Sequence, residues 1–191
     1  LMRIHCIFES IKGVLKNEKK MVMIVGFFAT LLSLSLSAEV MDVEKYSIIA
    51  TEIIRESMKM EGADTQKMLQ QSETLIQMGI ASSRAYAAVN PEYTKLLTLT
   101  ADNAEGMKAM SLDQVEEEWH EFAFLARHGI DAEEIEHFGA AISLMDTIVH
   151  PATSVIAIRA YQAEKDEEHL EQVKAELSEV LEHIKHVNEA H

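Results

Sequence analysis

"SLDQVEEEWHEFAFLARHGIDAEEIEHF", residues 111–138, decides the fold class. Ser111 and Gln114 have the spacing of a capping box, in which a hydroxyl and an amide side chain satisfy the first free backbone groups of a helix. Gly129 stands where a helix ends in a left-handed residue, a conformation glycine adopts at little cost. Asp131-Ala-Glu-Glu then repeats the start signal one loop later. A helix opened, closed by glycine and opened again is a helical hairpin, predicted as helices over about 112–128 and 132–149.

Working outward from the hairpin, apolar residues keep recurring at three- and four-residue spacing. Val43, Tyr46, Ala50, Ile53, Ser57 and Met60 predict a helix over about 43–61, ending at Gly62. Leu69, Ile76, Ile80, Ser83 and Ala87 mark one face of a second helix from about 65 to 88. Asn90-Pro91 ends it and starts a less regular segment over 91–107. On the other side, Pro151 lacks a backbone donor and is predicted to kink or break the chain near His150. A last helix over about 166–190 carries Leu170, Val173, Leu177, Val180, Ile184 and Val187 on one stripe. Two prolines and seven glycines in 191 residues suit long helices better than many-turned sheets. The expected class is all-α: an antiparallel up-and-down helical bundle of about four main helices with shorter pieces near 91–107 and 151–164.

Residues 1–38 are expected to be a leader outside this fold, leaving one helical-bundle domain over 39–191. The basic "KNEKK" at 16–20 precedes "MVMIVGFFATLLSLSLSA", an apolar run ending in the small Ala38, which is the pattern of a cleaved secretory signal. The alternative is an uncleaved N-terminal anchor, since the run of ~17 apolar residues is near the lower limit for spanning a bilayer. Export places the mature protein in the periplasm or outside the cell, with the membrane a partner only during export.

The leader holds five of the chain's 17 Lys/Arg and two of its 32 Asp/Glu, so residues 39–191 keep 12 and 30, a net charge of −18. Such a chain repels nucleic acid and anionic membranes and is suited to metal cations or a basic protein partner. The single cysteine, Cys6, lies in the leader. Residues 39–191 therefore hold no disulfide, thiolate nucleophile, zinc–thiolate site or Cys-x-x-Cys-His haem attachment. There is no Ser/His/Asp pattern and no glycine-rich phosphate loop, so catalysis would depend on a metal site. A binding module is expected rather than a catalyst.

Candidate ligands come from three places. Glu117/His120 and Glu134/His137 are two Glu-x-x-His pairs on either side of Gly129. Carboxylate-bridged di-metal bundles use two such pairs with a lone Glu from each of two other helices, because inward-facing oxygen and imidazole ligands build a six-coordinate site. Glu73, within the second helix's stripe, is the candidate lone ligand, and Glu56 is a poorer second. The plainer reading, which the density of Glu favours, is two solvated acid-rich helices, with His120, Phe124 and His128 on a shared second face. On the last helix Glu179, His183 and His186 lie on one side and would chelate a divalent ion on an outer surface, or serve as ordinary surface charges at the negative helix end. Met58, Met60, Met68, Met107 and Met110 suggest soft copper ligands, but read more simply as flexible core filler. Haem b between a methionine and His183 or His186 is a further ligand hypothesis, and the rival to any ligand is docking of the acidic bundle on a basic protein.

Overall fold

The computed structural model describes residues 41–131 and 139–187, and every regular element among them is helical. The expectations for the leader and for a helix start at 132 lie outside those residues. Helix α1 spans Val43–Ser57 and α2 spans Thr65–Val89. Each is opened by an aspartate that accepts a free amide three residues on, Lys45 N–H to Asp42 at 2.9 Å and Lys67 N–H to Asp64 at 3.0 Å. The carboxylate satisfies an orphan donor and sits at the positive end of the helix dipole. Asn90 closes α2 by donating its side-chain amide to the Tyr86 carbonyl, and a 3-10 turn at Pro91–Tyr93 leads into α3, Thr94–Met107. The segment expected to be irregular is thus helical throughout.

The capping box at Ser111 forms in both directions, Gln114 N–H to Ser111 Oγ at 3.2 Å and Ser111 N–H to Gln114 Oε1 at 2.9 Å. The helix it opens is not the single run to residue 128 that the pattern predicts. Helix α4, Leu112–Val115, passes into a π turn at Glu116–His120, closed by Glu121 N–H to the Glu116 carbonyl at 2.9 Å. Phe122 then takes a left-handed conformation with φ of 61°, and α5 runs over Ala123–Arg127. Aromatic packing explains the break. On a regular helix Trp119 and Phe124 would point about 140° apart, whereas here their rings stack with centroids 4.6 Å apart and Trp119 is fully buried. The break also takes His120 off the face that it was expected to share with His128.

Helix α6, Ala140–Glu164, is the centre of the molecule, and α7, Glu168–His183, follows it with a closing 3-10 turn at Ile184–His186. By length and composition α6 would suit a membrane span, yet 94% of its apolar window is buried inside the protein. It packs against α2, α3 and α7. Contacts run in opposite senses along neighbouring helices. Gly79 lies against Thr147 while Ser83 reaches the Leu144 carbonyl, and on the other side Asp146 meets His183 while His150 meets Glu176. All six stripe residues expected on the last helix, from Leu170 to Val187, are buried.

Of the predicted kink or break at Pro151, the break does not occur, and α6 runs on through the proline. Proline leaves the carbonyl four residues earlier without its helical donor, and that carbonyl belongs to Thr147, where the fully buried Tyr46 hydroxyl donates to it at 3.0 Å. Helix α1 thus supplies the bond that α6 lacks. Helix α2 closes on the same turn through Gly79, where a Cβ would come within 2.7 Å of the Thr147 carbonyl oxygen. The continuous α6 holds Asp146 and His150 one helical turn apart, on a common face.

Candidate metal centre

Between Ala140 and Ile158 the only ionisable side chains are Asp146 and His150, both buried. Carrying a carboxylate and an imidazole into an apolar interior costs several kcal/mol unless both are paired. The pairing comes from α7. Glu176 accepts from His150 Nδ1 at 2.8 Å, and Asp146 accepts from His183 Nδ1 at 2.7 Å. His120 completes the group from the end of the π turn. Its ring lies 5.0 Å from that of His150, its Nε2 lies 3.7 Å from Glu176, and it bonds Thr153 Oγ1 at 3.2 Å. The Thr153 hydroxyl donates to the Val149 carbonyl, so toward His120 its oxygen is the acceptor and His120 Nε2 carries the proton.

Three imidazoles and two carboxylates thus converge from α6, α7 and the 116–120 turn. They form two overlapping sets, His120/His150/Glu176 and Asp146/His150/His183, and within each set one ligand atom per residue lies within 4.8 Å of the others. Ligands 2.0–2.2 Å from one ion stand roughly 3–3.5 Å apart, so side-chain rotations of about an ångström would close either set on a metal. The rings are also poised electrostatically. Burial opposes the charged form of His150, but its bond to Glu176 and the charges of Asp146, Glu176 and Glu179 outweigh it and hold the ring's pKa above the ordinary histidine value. His183 is raised too, first by its bond to Asp146, then against burial by the charges of Asp146, Glu179 and Glu182. The pocket favours positive charge. Nitrogen and oxygen donors of this kind suit zinc, iron, manganese, nickel or cupric copper.

Of the residues singled out in the sequence, His120 and His183 belong to this group. His183 reaches Asp146 on α6. Glu179 is exposed, and of His186 only the backbone is described. Glu117 is exposed on the π turn, while Glu134 and His137 lie outside the described residues. Glu73 joins neither set. Both its oxygens accept from the buried Lys108 ammonium at 2.7 Å, with Glu105 as second partner at 2.9 Å. The α2 seam is centred on Met68, Ser72, Leu75 and Gly79, which leaves Glu73 on its flank. Glu56 accepts from Lys59 and from the Asp64 amide beside the α1–α2 turn. Met68 and Met107 are fully buried core residues and Met58 is exposed.

The sequence reading passed over Asp146, His150 and Glu176. A signal was present: in "AAISLMDTIVHPATSVIAI", residues 140–158, an aspartate and a histidine four apart interrupt an otherwise uncharged run. Comparison with protein families, curated proteins and solved structures finds no match to this chain.

Proposed function

We propose that the protein is an exported helical bundle, up-and-down in order, that binds a divalent transition-metal ion through His120, Asp146, His150, Glu176 and His183. The observation that carries this reading is the convergence of three imidazoles and two carboxylates on a buried stretch of α6 where packing alone calls for apolar side chains. Hydrogen-bonded carboxylate–imidazole pairs are the arrangement that fixes a histidine's tautomer and raises its basicity toward a metal. Haem suits the place less well, because the rings stand only 5.0 and 6.1 Å apart with carboxylates beside them, a spacing for an ion and not a macrocycle. Export rests on the basic-then-apolar leader, and N-terminal sequencing of secreted protein should then begin near Glu39.

The test is direct. Tag-free protein, stripped with chelator and dialysed, is titrated with zinc(II) by isothermal calorimetry at pH 7.5 and again after replacement of His150 by alanine. Saturable binding in the micromolar range or tighter, lost in the variant, supports a metal-binding role. Absence of binding in the unaltered chain would refute it and leave docking on a basic protein partner as the better account.

A further inference from the structure

We infer that this centre takes one ion, not two, and that the ion has two overlapping positions hinged on His150. The inference rests on the metal-binding reading above. The two ligand sets have one member in common, and it is an imidazole. Two divalent ions a few ångströms apart repel strongly in a low-dielectric interior, and bundles that hold such pairs place carboxylates between them to neutralise the charge. Here neither carboxylate is common to both sets. Glu176 belongs with His120, and Asp146 belongs with His183. A histidine would bridge two ions only by losing both ring protons. The geometry therefore offers alternatives, not neighbours.

The two positions differ in access. The His150 side chain is 3% exposed and that of His120 19%, while that of His183 is 40% exposed. The set containing His183 is thus the solvent-side position, and the exposed Glu179 and Glu182 add negative charge next to it. A cation arriving from solvent meets His183 and Asp146 first, binds His150 as its third ligand, and exchanges the first pair for His120 and Glu176 without leaving His150. His150 is the ligand of both positions, and His120 and His183 are interchangeable partners.

This assignment makes a pattern that separates it from a single fixed site and from a two-ion site. Tag-free full-length chain is titrated with cobalt(II), followed by visible absorption and by metal analysis after desalting. The expected stoichiometry is one ion per chain. His120→Ala and His183→Ala should each keep that stoichiometry, and because the affinities of the two positions add, the less damaging of the two changes should cost no more than about twofold, whereas a single fixed site would lose about tenfold or more with each. His150→Ala should lose at least ~1,000-fold, since it breaks both sets. Should His150→Ala fail to fold, the double variant His120→Ala/His183→Ala, altered only at partly exposed positions, should show the same loss. Two ions per chain, or complete loss on removing either His120 or His183 alone, would overturn the inference while leaving metal binding intact. No cobalt binding in the unaltered chain would instead remove the metal-binding reading, and the inference with it.

Discussion

Replacing Tyr46 by phenylalanine tests why α6 continues through a proline. Tyr46 and Thr147 are both fully buried, so losing the hydroxyl leaves the Thr147 carbonyl without the donor that Pro151 denies it. An unsatisfied buried acceptor costs about 1–3 kcal/mol, and removing one hydroxyl creates little cavity. For a domain of this size each kcal/mol corresponds to roughly 2–4 °C in Tm, so Tyr46→Phe should lower Tm by about 4–8 °C for a mid-range loss. In a Pro151→Ala background the new amide at 151 can reach the Thr147 carbonyl along the helix. The same Tyr46→Phe change should then cost less than about 1 kcal/mol, a coupling of roughly 1–2 kcal/mol between residues 105 positions apart in the chain. The assay is a double-mutant cycle from urea denaturation at constant pH, with m-values checked for constancy. An equal cost in both backgrounds, or a cost near zero in the unaltered protein, would show that the Tyr46 hydroxyl does not stand in for the missing helical bond.

Further outcomes follow from other contacts. Gly79→Ala should destabilise by about 1–3 kcal/mol despite alanine's better helix propensity, because its Cβ would press within 2.7 Å of the Thr147 carbonyl oxygen; thermal unfolding checks this. Glu73→Gln should leave zinc affinity unchanged within a factor of about two, since Glu73 pairs with Lys108 away from the cluster; a tenfold loss in a calorimetric titration would contradict that placement. In metal-free protein His150 and His183 both bind protons more tightly folded than unfolded. Their stabilisation is fully present below the unfolded value near ~6.5 and is lost as pH rises through the raised folded values. Tm in the presence of chelator should therefore fall from pH 6 toward pH 8. With saturating zinc the trend should reverse, because the ion needs unprotonated rings.

Helix positions with strong local signals were legible in the sequence. The Ser111 capping box and the stripe from Leu170 to Val187 are local devices, set by neighbours within one or two turns. The π turn and the left-handed Phe122 were not legible, because they answer to the stacking of Trp119 on Phe124 and to the burial of both Trp119 and Leu125 in the shared core. The break allowed for at Pro151 does not occur, for a similar reason: the replacement donor, Tyr46, comes from the first helix. Of the candidate centre, His120 and His183 stood out by spacing, but their partners Asp146, His150 and Glu176 meet them only across α6 and α7. Glu-x-x-His spacing pointed to a site between the two arms of the hairpin and α2, whereas the group that forms joins the 116–120 turn to α6 and α7. Asp146 and His150 in the otherwise uncharged run 140–158 were the more telling feature, since a buried carboxylate must find a partner and α7 supplies it.

The measurement that tests the metal centre most directly is anomalous diffraction at the zinc absorption edge from crystals of the zinc-loaded protein. The expected result is a single strong peak within ~2.0–2.2 Å of a His150 ring nitrogen, with at least two of His120, Asp146, Glu176 and His183 completing the coordination. A peak confined to surface carboxylates, with His150 still bonded only to Glu176, would contradict the assignment.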